Sequence, residues 1–135
     1  MSLPTSSGRS QTTFIAIAFA LCAIVMSSVL LVAQSRREFE VVAKNYAFRV
    51  SGTNGPEIHV TQNDLVHITF SSEDIPHSFT IEDAPYRIMR KAEPGKPVTF
   101  DFRADQPGRF VFFCNLTIDA KCKDMRGTLI VDRAK

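Results

Sequence analysis

Beyond residue 38 the apolar side chains recur at every second position, and that period restricts the chain to extended strands with one buried face. Phe39 and Val41 keep it, as do Tyr46, Phe48 and Val50, and then Val66, Ile68 and Phe70. Further strands are expected over residues 58–60, 78–81, 98–102, 110–113 and 128–131, because Val, Ile, Thr and Phe dominate there. Residues 51–56, 94–97 and 105–108 separate them and are rich in turn formers. Seven or eight short strands with frequent turns predict an all-β sandwich. No long 3.6-residue pattern follows Arg37, and the best helical turn lies over residues 119–124. With 11 Phe and no Trp in 135 residues, phenylalanine is expected to fill the core.

The N-terminal part obeys a different rule. Residues 14–33 carry no charge, and only Ser27 and Ser28 are polar. Twenty such residues suffice to cross a hydrocarbon core of roughly 30 Å as a helix. The chain is therefore expected to divide into a short tail (1–13), a transmembrane anchor (14–34) and a folded domain (36–135). A cleaved signal peptide is the rival reading, but the run exceeds the usual apolar core of about 7 to 15 residues and lacks a clean small-x-small site. A lipoprotein signal fails at Leu21, which stands where a small residue must precede Cys22, so Cys22 is read as a lipid-facing or helix-packing residue. Arg9 alone precedes the run while Arg36 and Arg37 follow it, so the positive-inside rule taken by itself places the domain in the cytoplasm. The length suits one domain and disfavours an enzyme of several lobes. A net charge of +2, from 16 basic and 14 acidic residues, gives neither a nucleic-acid-binding face nor an acidic tail.

The chemistry-bearing residues concentrate near the C-terminus. Cys114 ends an apolar run, and Cys122 and Met125 follow it within twelve residues. Two thiols and a thioether, joined by one imidazole, favour copper and particularly Cu(I) over Mg or Ca. His77, after Pro76 and at the start of an expected strand, is the natural imidazole. The competing reading is a Cys114–Cys122 disulfide, which in a loop of nine residues contributes about 2.5 kcal/mol by the loop-entropy estimate. His59 and His67 are out of phase with the apolar residues of their strands and are expected to face solvent or the rim, with no role. Met89 is expected in the core or at its rim, with a spare thioether near the site as the alternative. Arg87, Arg90, Lys91 and Lys96 read as a solvated edge, with docking of an acidic partner as the alternative. No Ser-His-Asp arrangement, carboxylate pair or phosphate-binding glycine loop points to an independent catalytic site.

Asp74-Ile75-Pro76-His77-Ser78-Phe79-Thr80-Ile81, Pro94-Gly95, Ala104-Asp105-Gln106-Pro107-Gly108-Arg109-Phe110 and the segment from Cys114 to Met125 together resemble the cupredoxin domain of cytochrome c oxidase subunit II. The resemblance covers about Phe39 to Val131. It implies a cupredoxin-like Greek-key β-sandwich preceded by one N-terminal transmembrane helix. In that family the histidine of the Asp-x-x-His-Ser element binds copper, and a terminal Cys-x3-Cys-x3-His-x2-Met loop bridges two copper ions. Laid on that pattern, Cys114 matches the first cysteine and Met125 the methionine. Ile118 stands at the second cysteine position and Cys122 at the histidine position, so the dinuclear centre is expected to be absent. A blue-copper geometry lacks its second histidine, for which Lys123, Asp119 and Asp124 are poor substitutes.

The resemblance thus implies one copper ion, Cu(I) or Cu(II), held by His77, Cys114, Cys122 and Met125, with the second thiolate favouring Cu(I). It implies electron transfer or copper handling linked to a respiratory oxidase, by a single-pass cell-membrane protein with its domain on the periplasmic or extracellular side; the family outweighs the small charge bias. Its partners would be membrane lipid through the N-terminal helix and a redox partner or oxidase complex, with no nucleic acid. The alternative is a metal-free accessory or interaction subunit of a membrane complex, closed by the disulfide.

Overall fold

Alternating burial is what pairs these strands into sheets. Strand β4 (Leu65–Ser72) turns Val66, Ile68, Phe70 and Ser72 inward, and β1 (Arg36–Lys44) does the same with Val41 and Ala43. The computed structural model describes residue 2 and residues 35–135. The expected tail and the anchor over 14–34 lie outside the described residues, apart from residue 2. No helix among the described residues is long and apolar enough to cross a membrane.

Among the described residues nine strands form two sheets. The remaining strands are β2 (Ala47–Val50), β3 (Glu57–Thr61), β5 (His77–Ile81), β6 (Ile88–Ala92), β7 (Val98–Arg103), β8 (Gly108–Phe113) and β9 (Arg126–Asp132). One sheet has the order β2-β1-β4-β7 and the other β3-β9-β8-β5-β6. In the first, β1 is antiparallel to β2 and parallel to β4, with Val41 opposite both Val50 and Phe70. In the second, β8 lies between β5 and β9 and is antiparallel to both. The expected all-β sandwich is present, and every strand expected from the alternation is found. Strand β6 was not expected. It is a sheet edge whose three central residues, Met89, Arg90 and Lys91, are exposed, so its composition shows no buried face. Arg90 lies with its guanidinium 5.5 Å from the Phe100 ring centroid.

Phenylalanine does fill the core. Phe79 and Phe112, from adjacent strands of the second sheet, stack at 4.6 Å. Across the sandwich Phe48 meets Phe112 at 5.2 Å, Phe79 meets Phe100 at 5.4 Å and Phe70 meets Phe79 at 6.1 Å. The packing leaves no slack at Gly127, where a Cβ would stand 2.1 Å from Phe112 Cζ and 2.7 Å from the Pro56 carbonyl oxygen.

Strand polarity places the site. Because β8 ends where β5 and β9 begin, His77, Cys114 and Met125 emerge at one end of the second sheet. Phe79 touches three other rings of this core, so Phe79→Ala is expected to cost about 3–5 kcal/mol. Urea denaturation with the disulfide kept intact measures this, and a cost below about 1 kcal/mol would show that the ring cluster is not what holds the sheets together.

Candidate metal centre

His77 opens β5 and is fully buried. Its orientation is set by Asp74, three residues earlier, whose Oδ1 accepts from the Ile75 N–H at 2.8 Å and pairs with His77 Nε2 at 2.8 Å. The second oxygen, Oδ2, accepts the Asn45 N–H at 2.7 Å. Burial pushes the Asp74 carboxyl upward, but the two backbone donors and the imidazole outweigh it and hold the group below its ordinary range. An ionised Asp74 can only accept, so Nε2 is the donor of that bond and Nδ1 is the ring nitrogen that faces Cys122 Sγ, 3.8 Å away. Carboxylate fixation of one ring nitrogen, leaving the other free to face soft donors, is the usual support of a ligating histidine.

Cys114 follows β8 directly and is fully buried; its Sγ accepts the Ser78 N–H at 3.4 Å. Ser78 Oγ donates to Asn115 Oδ1 at 2.8 Å and accepts the Asn115 N–H at 2.9 Å, which ties the residue after Cys114 to β5. Cys122 sits in a 3-10 turn, Ala120–Asp124, in the segment expected to be helical. Asp119 caps that turn by accepting the Lys121 N–H on Oδ1 at 2.9 Å. Cys114 and Cys122 are joined in a disulfide, with their Cα atoms 5.3 Å apart. The ligating atoms of His77, Cys114 and Cys122 all lie within 4.8 Å of one another. Met125 is buried just before β9, its N–H bonded to the Cys122 carbonyl at 3.1 Å. Three of the four expected residues thus form one cluster, with Met125 buried three residues after Cys122. Sulfurs bonded to each other are not thiolates, so the disulfide and metal ligation by this pair exclude one another.

The turn between β1 and β2 closes the cluster from the side. Asn45 and Tyr46 both adopt positive φ, 50° and 60°. The Tyr46 ring stands edge-on to His77 with centroids 6.1 Å apart, and its hydroxyl donates a short hydrogen bond to Asp119 Oδ2. Lys121 Nζ lies 5.5 Å from the Tyr46 ring centroid. The Tyr46 hydroxyl and the Lys121 N–H hold Asp119 below the ordinary carboxylate range, while the bond to Asp119 pushes the tyrosine upward. Sequence reasoning missed Tyr46, Ser78 and Asn115, and gave Asp74 no part of its own. The spacing of Asp74 three residues before His77 is a usable signal; Tyr46, 31 positions upstream, offers none.

The remaining candidates are peripheral. His59 pairs with Glu57 at 3.1 Å and His67 with Asp101 at 2.8 Å, both on the outer surface as expected. Met89 is half exposed and lies at the edge, not in the core, because it is on the outward side of the unexpected strand β6. Lys91 and Lys96 pair with Glu93, consistent with a solvated edge. Ile118, at the position of the missing family cysteine, is 64% exposed.

The family model of the cupredoxin-like domain matches residues 13–131, and the chain belongs to that family. Among solved structures it is similar to a chain of a heme-copper terminal oxidase dimer, with TM-score 0.61, 19% identity and coverage of 90% of this chain and 93% of that one. It is also similar to auracyanin A, a blue copper protein of Chloroflexus aurantiacus (TM-score 0.57, 15% identity, 73% and 100% covered). A third similar structure is subunit II of cytochrome c oxidase, captured in a mixed disulfide with a thioredoxin-like protein (TM-score 0.60, 18% identity, 77% and 87% covered). No curated protein matches the chain in sequence. At these identities the structural likenesses establish the fold.

Glu73, held low by Lys44, joins Asp74 and Asp119 as a third carboxylate below its ordinary range. Each has a folded-state value below the unfolded one, so its stabilisation is fully present above about pH 5 and is lost as pH falls through the folded values, below about pH 4. The thermal midpoint of the disulfide form is expected to lose this carboxylate contribution as pH falls below about pH 4. Asp119→Asn should make that acid-side fall shallower; an equally steep fall would mean that the Tyr46–Asp119 contact does not contribute.

Proposed function

We propose that this protein is a copper-binding cupredoxin-type domain whose metal site exists only in the dithiol state. Reduction of the Cys114–Cys122 bond presents two thiolates beside His77 Nδ1, and Met125 completes the set of one imidazole, two thiolates and one thioether. The observation that carries this reading is His77 itself, a fully buried imidazole fixed through Nε2 by Asp74 with Nδ1 3.8 Å from Cys122 Sγ. Such a soft donor set suits a single Cu(I). Two Cu(II) ions, each taking one electron, would convert the dithiol to the disulfide, so oxidation and metal loss run together. The protein therefore handles Cu(I), or passes electrons through it, in connection with a respiratory oxidase, a class represented among its structural relatives.

In this reading residues 14–34 anchor the chain in lipid as a single span, and the domain lies on the periplasmic or extracellular side. Disulfides persist in oxidising compartments, which supports that placement. The relative joined to a thioredoxin-like protein through a mixed disulfide supports a redox partner for this chain as well. The disulfide also favours a second reading, in which the domain is a metal-free accessory subunit of a membrane complex.

Copper retention separates the two. The full chain, reduced and loaded with Cu(I), is expected to keep one colourless copper ion after unbound metal is removed, and the disulfide form none. Asp74→Asn should weaken Cu(I) binding about 10- to 100-fold through loss of imidazole fixation, and His77→Ala should weaken it more. No retained copper in the reduced chain, or retention indifferent to His77, would leave the accessory-subunit reading as the better account.

A further inference from the structure

The two sulfurs of the disulfide are chemically unequal. Cys114 lies directly after β8 and is locked there, because Asn115 exchanges two hydrogen bonds with Ser78 of β5. Its Sγ already receives a backbone donor, the Ser78 N–H at 3.4 Å. Cys122 lies in a five-residue 3-10 turn whose other members, Ala120, Lys121, Lys123 and Asp124, are all exposed. Its Sγ lies 3.8 Å from His77 Nδ1.

Thiol–disulfide exchange requires one sulfur to accept an attacking thiolate and the other to depart with the electron pair. Negative charge arriving on Cys114 meets a preset N–H donor, and such charge-assisted hydrogen bonds are the stronger kind. Access points the same way. Both sulfurs are buried, yet exposing Cys122 requires lifting one turn held at its surface by the Tyr46–Asp119 bond, whereas exposing Cys114 requires parting β5 from β8.

We infer that Cys122 is the sulfur at which a dithiol reductant forms its mixed disulfide, and that Cys114 is the departing thiolate. A thiolate of the reductant attacks Cys122 Sγ, a new S–S bond forms there, and the Cys114–Cys122 bond breaks with its electron pair on Cys114. The reductant's second thiolate then attacks its own sulfur in the mixed disulfide and closes the reductant's disulfide, releasing Cys122. The pair gains two electrons and two protons, both supplied by the reductant. This deepens the proposed copper reading, in which reduction must precede metal binding, but its test uses no metal.

The test follows the first step with reduced glutathione, a monothiol that cannot complete the second by itself. The full chain in its disulfide form is mixed with glutathione, quenched in acid at successive times, alkylated, and mapped by peptide mass spectrometry, which also separates the Cys22 peptide. At the earliest times glutathione is expected on Cys122 in about tenfold excess over Cys114, with the alkyl group on Cys114. Equal labelling, or an excess on Cys114, would overturn the assignment. A chain that forms no mixed disulfide under conditions that leave it folded would overturn it too, because the bond would then be inert. As a second measurement, Tyr46→Phe, which frees the turn from Asp119, should speed glutathione addition several-fold without moving it from Cys122; a shift to Cys114 would count against the proposal.

Discussion

The pairing of β5 with β8 is the contact on which both the core and the site depend. Thr80 stands opposite Phe113, and carrying that register one residue on sets Phe79 opposite Cys114. Side chains alternate across a strand, so His77, Phe79 and Ile81 share a face, as do Phe110, Phe112 and Cys114. That shared face is the inner one, where Phe79 stacks on Phe112. The ring stack that excludes water from the sandwich therefore also fixes where the first imidazole and the first sulfur stand. A slip of one residue would turn both outward together with the aromatic core, so the site cannot shift without unpacking the fold.

Around that fixed pair the rest of the cluster is assembled by polar contacts from elements distant in sequence. Asp74 orients the imidazole and is itself held by the Asn45 N–H. The adjacent residue, Tyr46, reaches Asp119, which caps the turn bearing Cys122. The two positive-φ residues between β1 and β2 thus steady both the histidine side and the cysteine side of the cluster. These contacts are partly exposed, whereas His77, Ser78 and Cys114 of the β5–β8 half are fully buried.

The sandwich was legible because its information is periodic. Alternation over β4 and over β2 declares a buried face whatever the neighbours are, and loops rich in Gly, Pro and Asp mark the turns. Strand β6 was not legible, since an edge strand with Met89, Arg90 and Lys91 exposed has no face to declare. Within the site, the cysteines, His77 and Met125 were visible through donor type and spacing. Whether the two thiols meet each other or a metal was not, because spacing fits both and the choice depends on redox state. Tyr46 was invisible for another reason: in its strand pattern it counts as one more apolar residue, and only the fold brings its hydroxyl to Asp119.

The altered loop sets where the second thiol of this chain stands, bonded to Cys114 and beside His77. In the subunit II pattern that the sequence resembles, the second thiol belongs at the position of Ile118 and a histidine at that of Cys122. Here position 118 is 64% exposed and carries no donor, whereas position 122 is buried beside His77. Moving the thiol four residues along the loop takes away the geometry for bridging two metal ions. It also replaces an imidazole, which cannot form a covalent bond to Cys114, with a sulfur that can. Under the proposed copper reading, the changes at positions 118 and 122 together couple metal binding to thiol oxidation, since each electron pair removed from the two sulfurs would remove two ligands at once. On that reading the site is set by the reductant supplied to it as much as by the copper available.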